Sequence, residues 1–304
     1  MLRARENGES LSSGENQVSP VSQVSPVGQV SKECTQYKGH VSDRVTVKSN
    51  QTLAIDIGNS RISCALFCGE ELKQTYNWAT SQPQAAASHL KSLGSKLDST
   101  LISISSVVPS AKEDLIRFWQ PDPATLFEVS AKNQTVLSGL YENIGSDRIA
   151  NAAAAFKSYM ANNGAAVVID FGTATTLTAV SKDGRFLGGM ITLGLATMVN
   201  SLHNHAAMLP ELSLTEWDSQ ASPLAFDTHG AIERGCFIGH VGLVKYWVER
   251  AKQSLPQGSK VIATGGLAPL IAPAAKVFDA VDVTLTLRGI KILAEVARDQ
   301  VGQG

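Results

Sequence analysis

The stretch VVIDFGTATTLTAV, Val167 to Val180, runs apolar, meets an aspartate, passes through Phe-Gly-Thr-Ala and turns apolar again. A short apolar run bounded by a turn reads as a buried strand, and Asp170 sits at its end. LAIDIGNSRISCALF, Leu53 to Phe67, has nearly the same form, with Asp56 in the corresponding place. Each copy opens a three-stranded meander: TLAIDIG, RISCALFC and ELKQTYNWA in the first, AAVVIDF, TTLTAVS and RFLGGMITL in the second.

Working outward, Pro83 to Lys96 and AKEDLIRFW read as helices, LISISSVVP and TLFEVS as strands, and IANAAAAFKSYMANN as a helix ending at Asn163-Gly164. Beyond the second meander come a long helical pattern from about Thr228 to Gln253, the strand KVIATGG, and a terminal helix from about Thr286 to Ala297. Strands alternating with helices mark an α/β fold. The duplication predicts two related domains, 51–160 and 161–304, each a mixed sheet that opens with a meander and is flanked by helices. Residues 1–50 contain the repeat QVSPVSQVSPVGQVS and few large apolar side chains, so they read as a disordered extension or an over-long translation start.

Composition excludes several classes. Hydrophobic residues at 43% and charged residues at 17% are globular values, and a net charge of -1 offers no nucleic-acid surface. No apolar stretch approaches the roughly 20 residues of a membrane helix, and MLRARENGES lacks the apolar segment of a secretory signal. The expectation is a soluble, cytoplasmic protein. Cys34, Cys64, Cys68 and Cys236 are too few and too scattered for a disulfide framework, and packing is the expected role of these thiols.

A carboxylate ending a buried strand is costly unless a cation or donor compensates it. The glycine two residues on permits a tight turn and close approach to a ligand, and Asn59-Ser60 or Thr173-Ala174-Thr175 adds short hydrogen-bonding groups. One copy alone could be a hairpin whose aspartate bonds its own turn amides. Two copies favour phosphate binding between the domains. A third glycine turn, Ala263-Thr264-Gly265-Gly266, follows a strand and leads into a helix, a place for the adenosine end of a nucleotide.

These turns resemble the phosphate loops of the superfamily that contains acetate and sugar kinases, actin and heat-shock chaperones. Within it the chain is most similar to type III pantothenate kinases, through LAIDIGNSRISCALF, ISSVVP, GSDRIANAAAAF, VVIDFGTATTLTAV, FLGGMITLGL, ATGGLA and LTLRGIKIL. The resemblance implies two ribonuclease H-like domains with ATP in the cleft between them. It also implies ATP-dependent phosphorylation of pantothenate to 4'-phosphopantothenate, which opens coenzyme A biosynthesis. Asp56, Ile57, Gly58, Asn59, Ser60, Arg61, Ile62 and Ser63 would surround the ATP phosphates, Asp56 through Mg²⁺, and Thr173 would also contact ATP. Asp170 would hold a monovalent cation, K⁺ or NH₄⁺. Gly145-Ser146-Asp147-Arg148, the family's Gly-x-Asp-Arg, would contact the substrate, with Asp147 acting as general base while Arg148 orients the substrate. A homodimer, with pantothenate near the subunit interface, is likewise implied.

The chain departs from the family pattern on the substrate side. Tyr141-Glu142-Asn143-Ile144 replaces a longer Tyr-x-Asn-Pro approach, leaving Tyr141 as a substrate contact. Ala206 stands where the family's threonine is expected to touch pantothenate, and Leu193 replaces the usual proline before Gly194. His203 and His205 lack the spacing of a helical zinc pair and read as exposed helix-end residues. The alternatives are a non-catalytic nucleotide-binding regulator of the same fold, or a related kinase acting on another small molecule.

Overall fold

The computed structural model describes residues 50–97, 99–160, 164–206, 208–212 and 222–301. The extension expected over 1–50 lies outside the described residues except for Asn50, as do Cys34 and Trp217.

The first half contains β1 (Gln51–Ile57), β2 (Arg61–Cys68), β3 (Glu71–Ala79), α1 (Pro83–Ser92), β4 (Leu101–Ser106), α2 (Pro109–Trp119), β5 (Leu126–Glu128) and α3 (Ser146–Ser158). The second contains β6 (Ala166–Phe171), β7 (Ala174–Val180), β8 (Phe186–Leu193), α4 (Leu195–His205), α5 (Thr228–Ser254), β9 (Lys260–Thr264), α6 (Ala268–Ala275), β10 (Ala280–Val281) and α7 (Leu285–Val301). The sheets have one topology. The orders β3-β2-β1-β4-β5 and β8-β7-β6-β9-β10 each combine an antiparallel meander with two parallel strands. The duplicated mixed-sheet fold expected from the repeated aspartate turns is therefore present.

Local chemistry sets the helix boundaries. Pro83 and Pro109 occupy first-turn positions, where the missing N–H costs nothing. Asp227 caps α5 by accepting from Gly230 N at 2.8 Å. The helix expected to reach Lys96 instead ends at Ser92, because Gly94 turns the chain at φ +48° into a short 3-10 segment.

Strand parity then builds the layers. Leu53, Ile55 and Ile57 face outward onto α1 and α2, while Ala54 faces inward. Val167, Ile169 and Phe171 face outward onto α4, α5 and α6, while Ala166 and Val168 face inward. Between the two inner faces lie α3 and α7. The chain exchanges these helices: α7, from the second half, packs on β1 and β4 of the first sheet, whereas α3 packs on β6 and β7. Ser103 Oγ fixes α7 to β4 by donating to the Ile290 carbonyl at 3.1 Å. The helices cross closely at Gly289, where a Cβ would lie 1.9 Å from the Ala150 carbonyl oxygen.

Candidate active site

The parity that sends Leu53 and Val167 outward sends Asp56 and Asp170 inward, each next to last in its strand. Asp147, in the first turn of α3, enters from the helix layer between them. The fold thus gathers the three aspartates singled out in the sequence at one end of the central layer. Ser105, level with Asp56 on the adjacent strand, places its Oγ 3.0 Å from both Asp56 Oδ1 and Ser146 Oγ. Ser146 donates onward to the Ser106 carbonyl at 3.0 Å. Asp147 Oδ1 accepts from the Arg148 backbone N–H at 2.8 Å. Asp170 Oδ2 accepts from Asn151 Nδ2 at 2.8 Å.

None of the three carboxylates has a lysine or arginine salt bridge among the described residues. Burial pushes Asp56 up to about 7, with the charges of Asp147 and Asp170 adding to the rise and the Ser105 hydrogen bond opposing it. Burial likewise pushes Asp170 up to about 6, opposed by the Asn151 hydrogen bond and reinforced by Asp147. Asp147 is raised by burial against the pull of Arg148. Each carboxylate is surrounded by protein on most sides yet keeps some exposure to solvent.

The two aspartate turns touch. Ser60 Oγ and Thr173 Oγ1 are 2.9 Å apart, joining residues that are 113 positions apart in sequence. Gly58 N donates to the Arg61 carbonyl at 2.9 Å, and the Gly58 carbonyl accepts from Thr80 Oγ1 at 2.6 Å. The Thr173 carbonyl is held by Thr197 Oγ1 at 2.6 Å and by Gly194 N at 2.9 Å. Arg61 reaches from the first turn to the third, its Nη2 lying 2.9 Å from where a Cβ on Gly266 would be. Gly265, at φ +90°, brings the third turn against Asp170: a Cβ there would fall 2.4 Å from Asp170 Oδ1. Three turns distant in sequence therefore ring the carboxylates.

Not every residue expected at the phosphates turns its side chain there. Ile57 and Ile62 are fully buried in the outer core, so only their backbone groups can face a ligand. Asn59 is exposed at the tip, and Ser63 Oγ is bonded to Asn77 Oδ1 at 2.9 Å. Thr175, read as a further hydrogen-bonding group of the second turn, is fully buried, and its hydroxyl lies 3.0 Å from His240 Nε2. Strand alternation places it on the face opposite Asp170.

On the acceptor side, Gly145 caps α3 and Arg148 is 5% exposed. Arg148 Nη1 donates to Tyr141 Oη at 2.6 Å and Nε to Thr178 Oγ1 at 3.2 Å, with the guanidinium carbon 5.7 Å from the Phe186 ring centre. Tyr141 is half exposed and packs edge-on against Phe186. Ala206 follows the last turn of α4, its N–H donating to the Leu202 carbonyl and its carbonyl accepting from Leu209 N. His203 and His205 are exposed in that turn, and among the described residues no three His, Cys, Asp or Glu side chains converge as metal ligands. Among them, too, no helix is long and apolar enough to cross a membrane.

Sequence reasoning missed Ser105, Asn151 and Thr286. The available signals were the alternate serines of LISISS, which share the inner face with Asp56, and Asn151, one helical turn beyond Asp147.

Comparison with known proteins places these features in a family. The family model for type III pantothenate kinase matches residues 52–250. A type III pantothenate kinase of Paramagnetospirillum magneticum is 35% identical over 251 residues, covering 78% of this chain and 94% of the relative. Its counterpart in Anaeromyxobacter sp. is 36% identical, covering 80% and 98%. That of Geobacter sulfurreducens is 33% identical, covering 81% and 99%. Among solved structures, a Campylobacter jejuni protein described as a Baf family transcriptional activator aligns with TM-score 0.51 at 24% identity, over 81% of this chain and 99% of the other. MreB5 of Spiroplasma citri aligns with TM-score 0.50 at 9% identity, over 84% and 99%. These two likenesses speak to the actin-like two-domain fold alone. Together with the paired aspartate turns and the Gly145–Arg148 helix start, the matches along most of its length show that the chain belongs to the type III pantothenate kinase family.

Proposed function

We propose that this protein transfers the γ-phosphoryl group of ATP to pantothenate, giving 4'-phosphopantothenate and ADP at the entry to coenzyme A biosynthesis. The observation that carries the reading is the convergence of Asp56, Asp147 and Asp170 from both sheets and the helix between them, beneath two turns joined by Ser60 and Thr173. The acceptor hydroxyl loses its proton to Asp147, its oxygen bonds to the γ-phosphorus, and the bond from that phosphorus to the bridging oxygen of ADP breaks. A carboxylate held above its ordinary pKa takes a proton more readily than an ordinary aspartate. Arg148, anchored by Tyr141 and Thr178, orients pantothenate.

The donor set fits cations. Asp56 and Asp170 are largely enclosed by protein, repelled by Asp147 and without a lysine or arginine salt bridge among the described residues, where the three carboxylates do not form a ready-made protein cage. Such a set suits Mg²⁺, which commonly takes one or two carboxylates and completes its shell with phosphate oxygens and water. Asp56 would hold Mg²⁺ and Asp170 a K⁺ or NH₄⁺ ion, and bound there they supply positive charge that stabilises the transferring phosphoryl group. The halves 51–160 and 161–304 close on ATP, and the working protein is a cytoplasmic homodimer. A regulatory nucleotide-binding role is not favoured, because the relatives are named as kinases.

A coupled assay of the purified protein with ATP, Mg²⁺, K⁺ and pantothenate tests the proposal. Turnover that requires both ions is expected, and Asp147→Asn should lower kcat by about 10²–10⁴ while ATP still binds. No phosphorylation of pantothenate by wild type would defeat the assignment. Near-normal turnover of Asp147→Asn would defeat the base.

A further inference from the structure

The geometry points to Asn151 and Thr286 as a pair of positioning residues that aim the Asp170 carboxylate into the turn cluster. Asn151 is 1% exposed in the middle of α3, so its amide depends on protein partners. Its Nδ2 donates to Asp170 Oδ2 at 2.8 Å, and its Oδ1 accepts from Thr286 Oγ1 at 2.8 Å. A carboxylate oxygen only accepts and the threonine hydroxyl here donates, so one orientation of the amide satisfies both partners. With Oδ2 committed, rotation about the Asp170 side chain is blocked. Oδ1 is left facing the glycine turns, against Gly265 and 3.8 Å from where a Cβ on Gly172 would lie.

The chain of contacts runs Thr286, Asn151, Asp170 through three elements. Asn151 lies one helical turn from Asp147, so the same stretch of α3 carries the proposed base and the group that aims the proposed cation ligand. Thr286 stands at the start of α7, which Ser103 ties to the first sheet. The orientation of a carboxylate on the second sheet is thereby set by a helix anchored on the first.

This inference rests on the reading of Asp170 as a monovalent-cation ligand, and its test separates the two. Melting temperatures are measured without nucleotide in KCl and in tetramethylammonium chloride at equal ionic strength. The K⁺ concentration for half-maximal turnover is measured alongside, for wild type, Asp170→Ala, Asn151→Ala, Thr286→Val and Thr286→Ser. Wild type and Thr286→Ser are expected to melt higher in K⁺. Asp170→Ala should lose that difference, and Asn151→Ala and Thr286→Val should lose most of it. In those last two the half-maximal K⁺ concentration should rise at least tenfold, with the pantothenate KM within twofold of wild type. Should Asn151→Ala fail to fold, Thr286→Val decides, because Thr286 is only partly buried and valine keeps its shape. Wild-type K⁺ responses in the folded variants, with Asp170→Ala unresponsive, overturn the positioning role and leave the cation site standing. A wild type indifferent to K⁺, or an Asp170→Ala that responds normally, overturns both.

Discussion

Replacing Gly289 by alanine should destabilise the protein even though alanine is the better helix former. The new Cβ would lie 1.9 Å from the Ala150 carbonyl oxygen and 2.4 Å from its carbon, and both obstacles are backbone. To restore an ordinary 3.4 Å contact, α3 and α7 must part locally by about 1.5 Å. Overfilling a packed interior typically costs 1–3 kcal/mol, and the upper end applies because no side chain can swing away. Relief of glycine's helix penalty returns about 1 kcal/mol. The expected net loss is about 2 kcal/mol, or roughly 4–8 °C in Tm for a chain of this size. Gly239 of α5 is the control, since a Cβ there meets nothing within 4 Å. Gly239→Ala should leave stability unchanged or raise it by up to about 1 kcal/mol. Urea unfolding of the three proteins reads the result. A Gly289→Ala protein as stable as wild type, or one shifted like Gly239→Ala, would refute the argument that the close crossing of α3 and α7 depends on the missing methyl group at Gly289.

Stability of the ligand-free protein should fall as pH rises from 5 toward 7.5. Asp56 and Asp170 hold protons up to about 7 and about 6 when folded, against 3.8 unfolded, so the folded state binds more protons in that window. His240, whose pKa burial lowers, works in the opposite sense, so the Asp56 contribution is the difference between wild type and Asp56→Asn in calorimetric Tm. Between pH 5 and 7 it should amount to roughly 5–10 °C, at about 1.4 kcal/mol per pH unit and about 2–4 °C per kcal/mol, and parallel pH profiles would count against it. Arg148→Lys loses the planar fork that reaches Tyr141 and Thr178 together. It should lower kcat/KM for pantothenate about 100-fold, roughly 2.7 kcal/mol, with ATP KM little changed, and an equal loss on both substrates would place Arg148 elsewhere in the mechanism.

Much of the fold was legible because apolar runs punctuated by Asp-x-Gly admit few readings, and β3 spans the expected ELKQTYNWA. The helix exchange was not. Periodicity shows which face of α3 is apolar, but alanines such as Ala150 and Ala153 pack equally well on either sheet, so the partner depends on where Gly289 allows α7 to lie. The three aspartates were visible because charge stands out against Val and Ile. Asn151 was not, because one amide among alanines reads as an ordinary helix position until Asp170 and Thr286 are seen on either side of it. Thr175 shows the converse error. It shares its neighbours' composition, yet its place in the strand alternation sends it away from the site.

The exchange of α3 and α7 bears on how the protein comes off the ribosome. The first sheet is synthesised early, but the helix that covers its inner face, α7, begins at Leu285, 157 residues after the sheet's last strand ends at Glu128. Until then Ala65 and Phe67 have no α7 to pack against, and Thr52 lacks the Glu295 carboxylate it bonds at 3.0 Å in the finished fold. Long-range closure of this kind slows folding and leaves apolar surface uncovered meanwhile. Neither half can complete its core until α7 has been made, so the cluster of Asp56, Asp147 and Asp170 matures only after that helix has emerged.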